Sequence, residues 1–224
     1  MPRSVPLALI LGVILVCLAL APFLFPGVRT VDTAARICIF IVLVASYDLL
    51  LGYGGIVSFA HTMFFGIGAY GVALASTHLG RGFDSIAIGA IAGAGVAALL
   101  ALVIGLFSLR VRAIFFAMIT LAVASAVAVL VSQLSGLTGG EDGLTFKTPR
   151  ELGPAFKFGK EAFDGQLFGV KLNGKLLAYY FVFIGALVLF LGLLRVVNSP
   201  FGRVLQAIRE NDFRAESIGY RVVY

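Results

Sequence analysis

The sequence predicts an all-α membrane protein, a polytopic helical bundle of about six spans with one broken-helix region. Hydrophobic residues make up 60% of the chain and charged residues only 12%, against about 25% charged in a soluble domain. Mean hydropathy is +1.05. The apolar residues fall into runs approaching the roughly 20 helical residues that cross a bilayer core.

The first run, 7–25, lies between Pro6 and Pro26. Arg3 precedes it, and Ala19-Leu20-Ala21 resembles a signal-peptide cleavage site. The run is long for such a segment and Pro22 follows directly, so we read it as an uncleaved first span. Residues 27–36 form a link with Arg29, Asp32 and Arg36, and the second run is 37–51. That run is short for a span unless Asp48 lies near a surface. Gly52, Gly54 and Gly55 then interrupt the pattern. The third run, 58–79, ends near His78, Arg81 and Asp84. The fourth, 85–109, is rich in Gly and Ala, and Gly89 with Gly93 makes a small-xxx-small pair that suits close helix packing. After Arg110 and Arg112 comes the fifth run, 113–134, and after a long polar loop, 135–175, the sixth, 176–194.

The net charge of +6 is read as membrane orientation. Lys and Arg in short segments beside spans stay cytoplasmic. With Arg110, Arg112, Arg195, Arg203, Arg209 and Arg214 inside, six spans place the N-terminus in the cytoplasm and loop 135–175 outside. That loop balances Lys147, Arg150, Lys157, Lys160 and Lys171 against Glu141, Asp142, Glu151, Glu161 and Asp164. No aromatic-interleaved basic patch points to nucleic acid. Cys17 and Cys38 are read as small buried hydrophobes. The two histidines lie far apart in sequence, so no metal site is expected.

Two motifs are rejected on context. Gly66-x-Gly68-x-x-Gly71 spells a dinucleotide fingerprint, but it lies inside an apolar run where a strand should precede it. Close helix packing explains it better. Residues 169–175 spell most of a phosphate loop, yet Leu176 stands where a metal-binding Ser or Thr belongs. No cofactor is expected on this chain.

The stretch 47–70 breaks the rules for a span. Asp48, Ser58 and His61 fall in or beside apolar runs, and glycines separate those runs. Broken helix is tolerated in a membrane only where protein or water surrounds it, and polar residues at depth tend to mark solute routes. Ser58 and His61 are spaced for one helix face, so a nucleophile–base pair is imaginable, with Asp48 as orienting acid. The plainer reading has His61 hydrogen-bonding across helices.

Segment 199–219 reads as a short amphipathic helix. Ser199 suits the N-cap and Pro200 the first helical position. Phe201, Val204, Leu205 and Ile208 follow i, i+3, i+4, i+7 spacing, with Arg203, Gln206, Arg209 and Glu210 mostly opposite. Such a helix lies on the bilayer or docks into a groove of a cytosolic partner. Its mixed charge favours docking.

Two stretches then carry a resemblance. Gly52-Tyr53-x-Gly55-x-x-Ser58-x-x-His61 runs into Phe64-Phe65-Gly66-Ile67-Gly68-Ala69-Tyr70. Ser199-Pro200-Phe201-Gly202-Arg203 is followed by Ala207-Ile208-Arg209-Glu210-Asn211, Ala215-Glu216 and Gly219. Together they resemble the permease subunits of bacterial ABC importers for branched-chain amino acids. The resemblance implies a single transmembrane permease domain over 1–224 in the bacterial inner (plasma) membrane. It implies a second permease subunit, as homodimer or heterodimer, two cytosolic ATP-binding subunits and a periplasmic substrate-binding protein. ATP and Mg would sit on the ATPase partners, and the chain itself would not be an enzyme.

In residue terms, the resemblance implies a translocation route along Tyr47, Gly52, Gly55, Ser58, His61 and Phe65. It implies ATPase coupling through Gly202, Ala207, Arg209, Glu210, Asn211, Ala215 and Gly219. Ile56 and Ala60 stand where family members often carry Gln and Gly, which leaves urea, short amides or sugars as alternative substrates. Family members continue with further spans beyond this segment, so the chain, ending at Tyr224, is expected to be C-terminally truncated. An intramembrane enzyme using Ser58 and His61 is the alternative of a different class.

Overall fold

A computed structural model describes residues 5–24, 27–108, 113–146, 148–149, 152–153, 166–167, 170–171 and 174–220. In chain order the elements are α1 (Val5–Leu24), α2 (Val28–Asp48), a π-helical turn (Leu49–Tyr53), α3 (His61–His78), α4 (Phe83–Ser108), α5 (Ala113–Gln133), α6 (Ser135–Thr138) and a 3-10 turn (Gly140–Asp142). A two-residue antiparallel pair, β1 (Gln166–Leu167) and β2 (Val170–Lys171), precedes α7 (Gly174–Val197), α8 (Pro200–Glu210) and α9 (Asp212–Ser217). The protein is thus a polytopic helical membrane protein, as its composition predicts.

Each expected apolar run forms a helix. Among the described residues, four stretches are long and apolar enough to cross a membrane: Arg29–Tyr53, Phe83–Phe107, Ile114–Gln133 and Gly174–Val197. Leu9–Leu24 is a shorter apolar helix, and α3 carries a histidine at each end. Side chains such as Ile91, Phe107 and Ile114 are exposed along the spans. A lipid-facing helix has this surface, because hydrocarbon gives helices no hydrophobic reason to hide apolar groups from it.

Three boundaries differ from the sequence reading. Residues 28–36, expected as link, are helical, so α2 and the π-helical turn together make a full-length span and Asp48 lies near its end. The third run begins helix at His61, because residues 54–60 leave the helical path. The amphipathic segment is two helices, because Asn211 is extended (φ −163°, ψ 104°). The basic turn Arg110–Arg112, with Lys147, Arg150, Glu151, Lys157, Lys160, Glu161 and Asp164, lies outside the described residues.

The chain divides into two compact units, Met1–Val44 with Arg150–Gly192, and Ala45–Pro149 with Leu193–Tyr224. In the first, Pro22 sits inside α1. Proline has no amide to offer the carbonyl four residues back. The hydroxyl of Tyr179 on α7 donates to that carbonyl, on Leu18, and Tyr180 donates to Ala19 at 3.0 Å. Tyr179 is 1% exposed. Cys38 is buried as expected, but Cys17 is exposed on α1. Lys175 and Asp32, near the starts of α7 and α2, lie 3.8 Å apart.

In the second unit, α3 and α4 pack most closely. A Cβ on Gly71 would stand 2.7 Å from the Gly89 carbonyl oxygen and 2.7 Å from the Gly93 Cα. One on Gly89 would meet the Gly71 carbonyl oxygen at 2.7 Å. Two backbones touch here, which only glycine permits. Gly68 and Gly71 of the Gly66-x-Gly68-x-x-Gly71 pattern face the Gly89/Gly93 pair across this seam, whereas a Cβ on Gly66 would meet nothing within 4 Å.

Candidate functional site

The site is built where α2 ends. Three glycines within four residues weaken the helix there, and the last turn widens to π geometry. The amide of Gly54 donates to the carbonyls of Leu49 (3.3 Å) and Leu50 (3.1 Å), and that of Gly55 to Leu51 (3.2 Å). A Cβ on Gly52 would lie 2.6 Å from Oδ1 of Asp48, whose carboxylate folds over it. Gly55 has φ +70°, a left-handed conformation that L side chains avoid. Widened π turns recur at functional sites.

Neighbouring helices hold the non-helical stretch that follows. The amide of Phe59 donates to Thr120 Oγ1 on α5 at 3.1 Å, and the Thr120 hydroxyl donates onward to the Ala117 carbonyl at 2.9 Å. Thr120 is 1% exposed. Protein thus satisfies a freed amide where lipid offers no partner. Ser58, beside it, is 5% exposed.

His61 opens α3, and its Nε2 lies 2.8 Å from Ser46 Oγ on α2. Tyr47 meets its ring edge-on, centroids 5.5 Å apart. This is the hydrogen bond across helices that the plainer reading expects. Ser58 and His61 do not share a helix face, because Ser58 precedes the helix. Phe65, one turn into α3, is half exposed. Tyr47, Gly52, Gly55, Ser58 and His61 thus lie in or beside the break, and Phe65 stands one turn into α3. Ser46 and Thr120 were not singled out from sequence. Each is a lone hydroxyl in an apolar run, and nothing local shows what it faces.

An apolar groove of about 770 Å³ runs along α3 from Thr62 to Leu79, walled by α4 and α5 residues such as Val96 and Ala128. The six expected route residues do not line it.

The second expected site is α8 with α9. The Ser199 side chain caps α8 by accepting from the Gly202 amide at 3.4 Å, with Pro200 at the first position, as the sequence predicts. Gly202 is buried against α7, and a Cβ there would stand 2.8 Å from the Val196 carbonyl oxygen. The Asn211 side chain caps α9, accepting from the Arg214 amide at 3.0 Å. Gly219 (φ +99°) ends it. The amides of Gly219 and Tyr220 donate to the carbonyls of Glu216 (2.9 Å) and Ala215 (3.2 Å), the paired bonds of a Schellman cap.

Exposure sorts the residues expected to couple. Ala215 is buried along with Gly202; Ala207, Arg209, Glu210, Asn211 and Gly219 are exposed. Of the predicted apolar face, Val204, Leu205 and Ile208 are half-buried, while Phe201 is 61% exposed; Phe213 and Ile218 are exposed as well. α8 packs against the π-helical turn, so the two candidate sites adjoin.

Residues 29–224 match the family model described as branched-chain amino acid transport system, permease component. The chain belongs to this family. The chain is 28% identical to the high-affinity branched-chain amino acid transport system permease protein LivM of Escherichia coli (strain K12). It is 27% identical to the protein of the same name from Salmonella typhimurium (strain LT2). Each match covers 85% of this chain and 46% of the relative, so the permease spans about half the length of these curated proteins. No solved structure matches it.

Proposed function

We propose that the permease is the membrane-spanning subunit of an ATP-driven importer of branched-chain amino acids. The observation that carries this is the family match over 29–224, joined to an amphipathic α8–α9 segment built beside a broken span. In this reading Tyr47, Gly52, Gly55, Ser58, His61 and Phe65 border the route. Ala207, Glu210 and Asn211, with Phe201 and Phe213, face a cytosolic ATP-binding subunit. Gly202 and Ala215 shape that surface from within, and Gly219 ends it. ATP and Mg belong to the partner, and a second permease subunit and a periplasmic binding protein complete the assembly.

Transport would proceed by alternating access. Closure of the ATPase dimer displaces α8, and the bundle opens outward to accept substrate. The N-terminus is cytoplasmic, as the arginines of α8 and α9 favour. Four helical runs separate the break from α8, an even number. The contact between these two elements supports an even number of crossings between them, which puts both on one side of the membrane.

Uptake of labelled leucine in cells lacking the gene, complemented with the permease, tests the reading. Restored uptake with competition by isoleucine and valine is the expected result. Restored urea uptake without leucine uptake would overturn the substrate and leave the fold and docking arguments standing.

A further inference from the structure

Arg209 stands on α8, and its Nη1 donates a hydrogen bond to the backbone carbonyl of Gly52. Its aliphatic stem lies against Gly55, where a Cβ would stand 2.9 Å from Arg209 Cγ and 3.4 Å from Cδ. Two demands therefore meet at Gly55: a positive φ, and room for an arginine stem. Gly52 lies in the last turn before the break, where helix carbonyls run out of amide partners. A basic side chain can supply the missing donor, and the cationic donor makes the stronger kind of hydrogen bond.

Apolar contact alone does not fix register, because it is non-directional. Val204, Leu205 and Ile208 would let α8 slide over the surface they cover. A guanidinium held on one named carbonyl, with its stem in a notch that only glycine leaves open, does fix register. The same break is tied elsewhere, through Ser46 to His61 on α3 and through Phe59 to Thr120 on α5.

We propose that Arg209 is a positioning residue that latches α8 to the break after α2, so that the two move as one body. A displacement of α8 then reaches the start of α3 directly, through Gly52 and Gly55. The proposal rests on the reading of α8 as the segment that an ATP-binding subunit moves.

The test uses spin labels on Ile56→Cys and Arg203→Cys, both exposed positions, with Cys17 and Cys38 replaced by alanine. Distances are measured by pulsed electron paramagnetic resonance on the permease in nanodiscs, alone and with its ATP-binding subunits. A single narrow distribution is expected, kept when ATP is added. Arg209→Ala is expected to broaden it and to lower uptake at least tenfold, while Arg209→Lys, which keeps a cation on a shorter reach, restores part of both. A distribution as narrow in Arg209→Ala as in the parent overturns the latch. So does uptake equal to the parent's. The measurement on the permease alone needs no ATPase, so it judges the latch separately from docking. Absence of any cross-link between Ala207→Cys and the ATP-binding subunits would overturn the docking reading instead. Should Arg209→Ala fail to insert, Arg209→Met, which keeps the stem and removes the donor, decides: a distribution as narrow as the parent's, with parental uptake, overturns the latch.

Discussion

The Tyr179 hydroxyl donates to the Leu18 carbonyl, the one carbonyl of α1 that Pro22 leaves without its helical amide. Hydrocarbon offers no substitute, so a polar side chain on another helix takes the place of the missing backbone donor. Tyr179→Phe is expected to destabilise the permease by about 1–3 kcal/mol, the cost of an unsatisfied buried group. Pro22→Ala restores an amide in the ladder and is expected to cancel most of that loss in the double variant. Thermal unfolding of the four members of the cycle measures the coupling. Simple additivity would show that the hydroxyl does not serve Leu18.

The α3–α4 seam leaves no room for a side chain. Gly89→Leu is expected to cost at least the 1–3 kcal/mol typical of overpacking, because the atoms it meets are the backbone of Gly71 and Val72, which cannot rotate away. Gly95→Ala and Gly105→Ala on the same helix meet nothing within 4 Å and are expected to be neutral or slightly stabilising. Yield of monodisperse protein in detergent and its melting temperature separate the two outcomes.

Ser46 is expected to matter more than its anonymity in the sequence suggests. Ser46→Ala removes the hydrogen bond that holds His61 at the start of α3. A net loss of about 1 kcal/mol is roughly a fivefold effect if it falls on the transport cycle, read as a lower maximal uptake rate with leucine KM little changed. Ser46→Thr keeps the hydroxyl and is expected to retain uptake. Ser58→Ala addresses the enzymatic alternative: loss of a chemical turnover with substrate binding intact would favour it over transport.

The spans were legible because lipid demands long apolar runs, and nothing else in a sequence looks like 113–134. The start of α2 was not, because Arg29, Asp32 and Arg36 read as a link although they sit on the first turns of one continuous helix, Val28–Asp48. The glycine break was legible at Gly52–Gly55, but its continuation to Ala60 was hidden, since Val57, Ser58 and Phe59 suit an apolar helix as well as a loop. What holds that loop comes from residues distant in the chain. The Thr120 hydroxyl and the Arg209 guanidinium are tertiary partners, and no local pattern announces them. The capping of α8 by Ser199 and Pro200 was legible because it is local.

Asn211 divides the α8–α9 segment, and its geometry separates a structural role from the proposed docking role. Its side chain accepts from the Arg214 amide while its backbone stays extended. Asn211→Asp keeps an acceptor at the cap and is expected to preserve stability, whereas Asn211→Ala is expected to cost about 1 kcal/mol as a lost N-cap. Gly219→Ala is expected to cost a further 1–2 kcal/mol, since alanine resists a positive φ and the paired bonds to Ala215 and Glu216 depend on it. Ala207→Glu leaves both caps in place: Ala207 meets Asn211 only through its backbone carbonyl and is exposed, so the fold is expected to tolerate the change. If α8 docks, this variant inserts and melts like the parent but loses substrate-stimulated ATP hydrolysis in the assembled transporter. Unchanged hydrolysis and uptake in Ala207→Glu would remove that face of α8 from the interface.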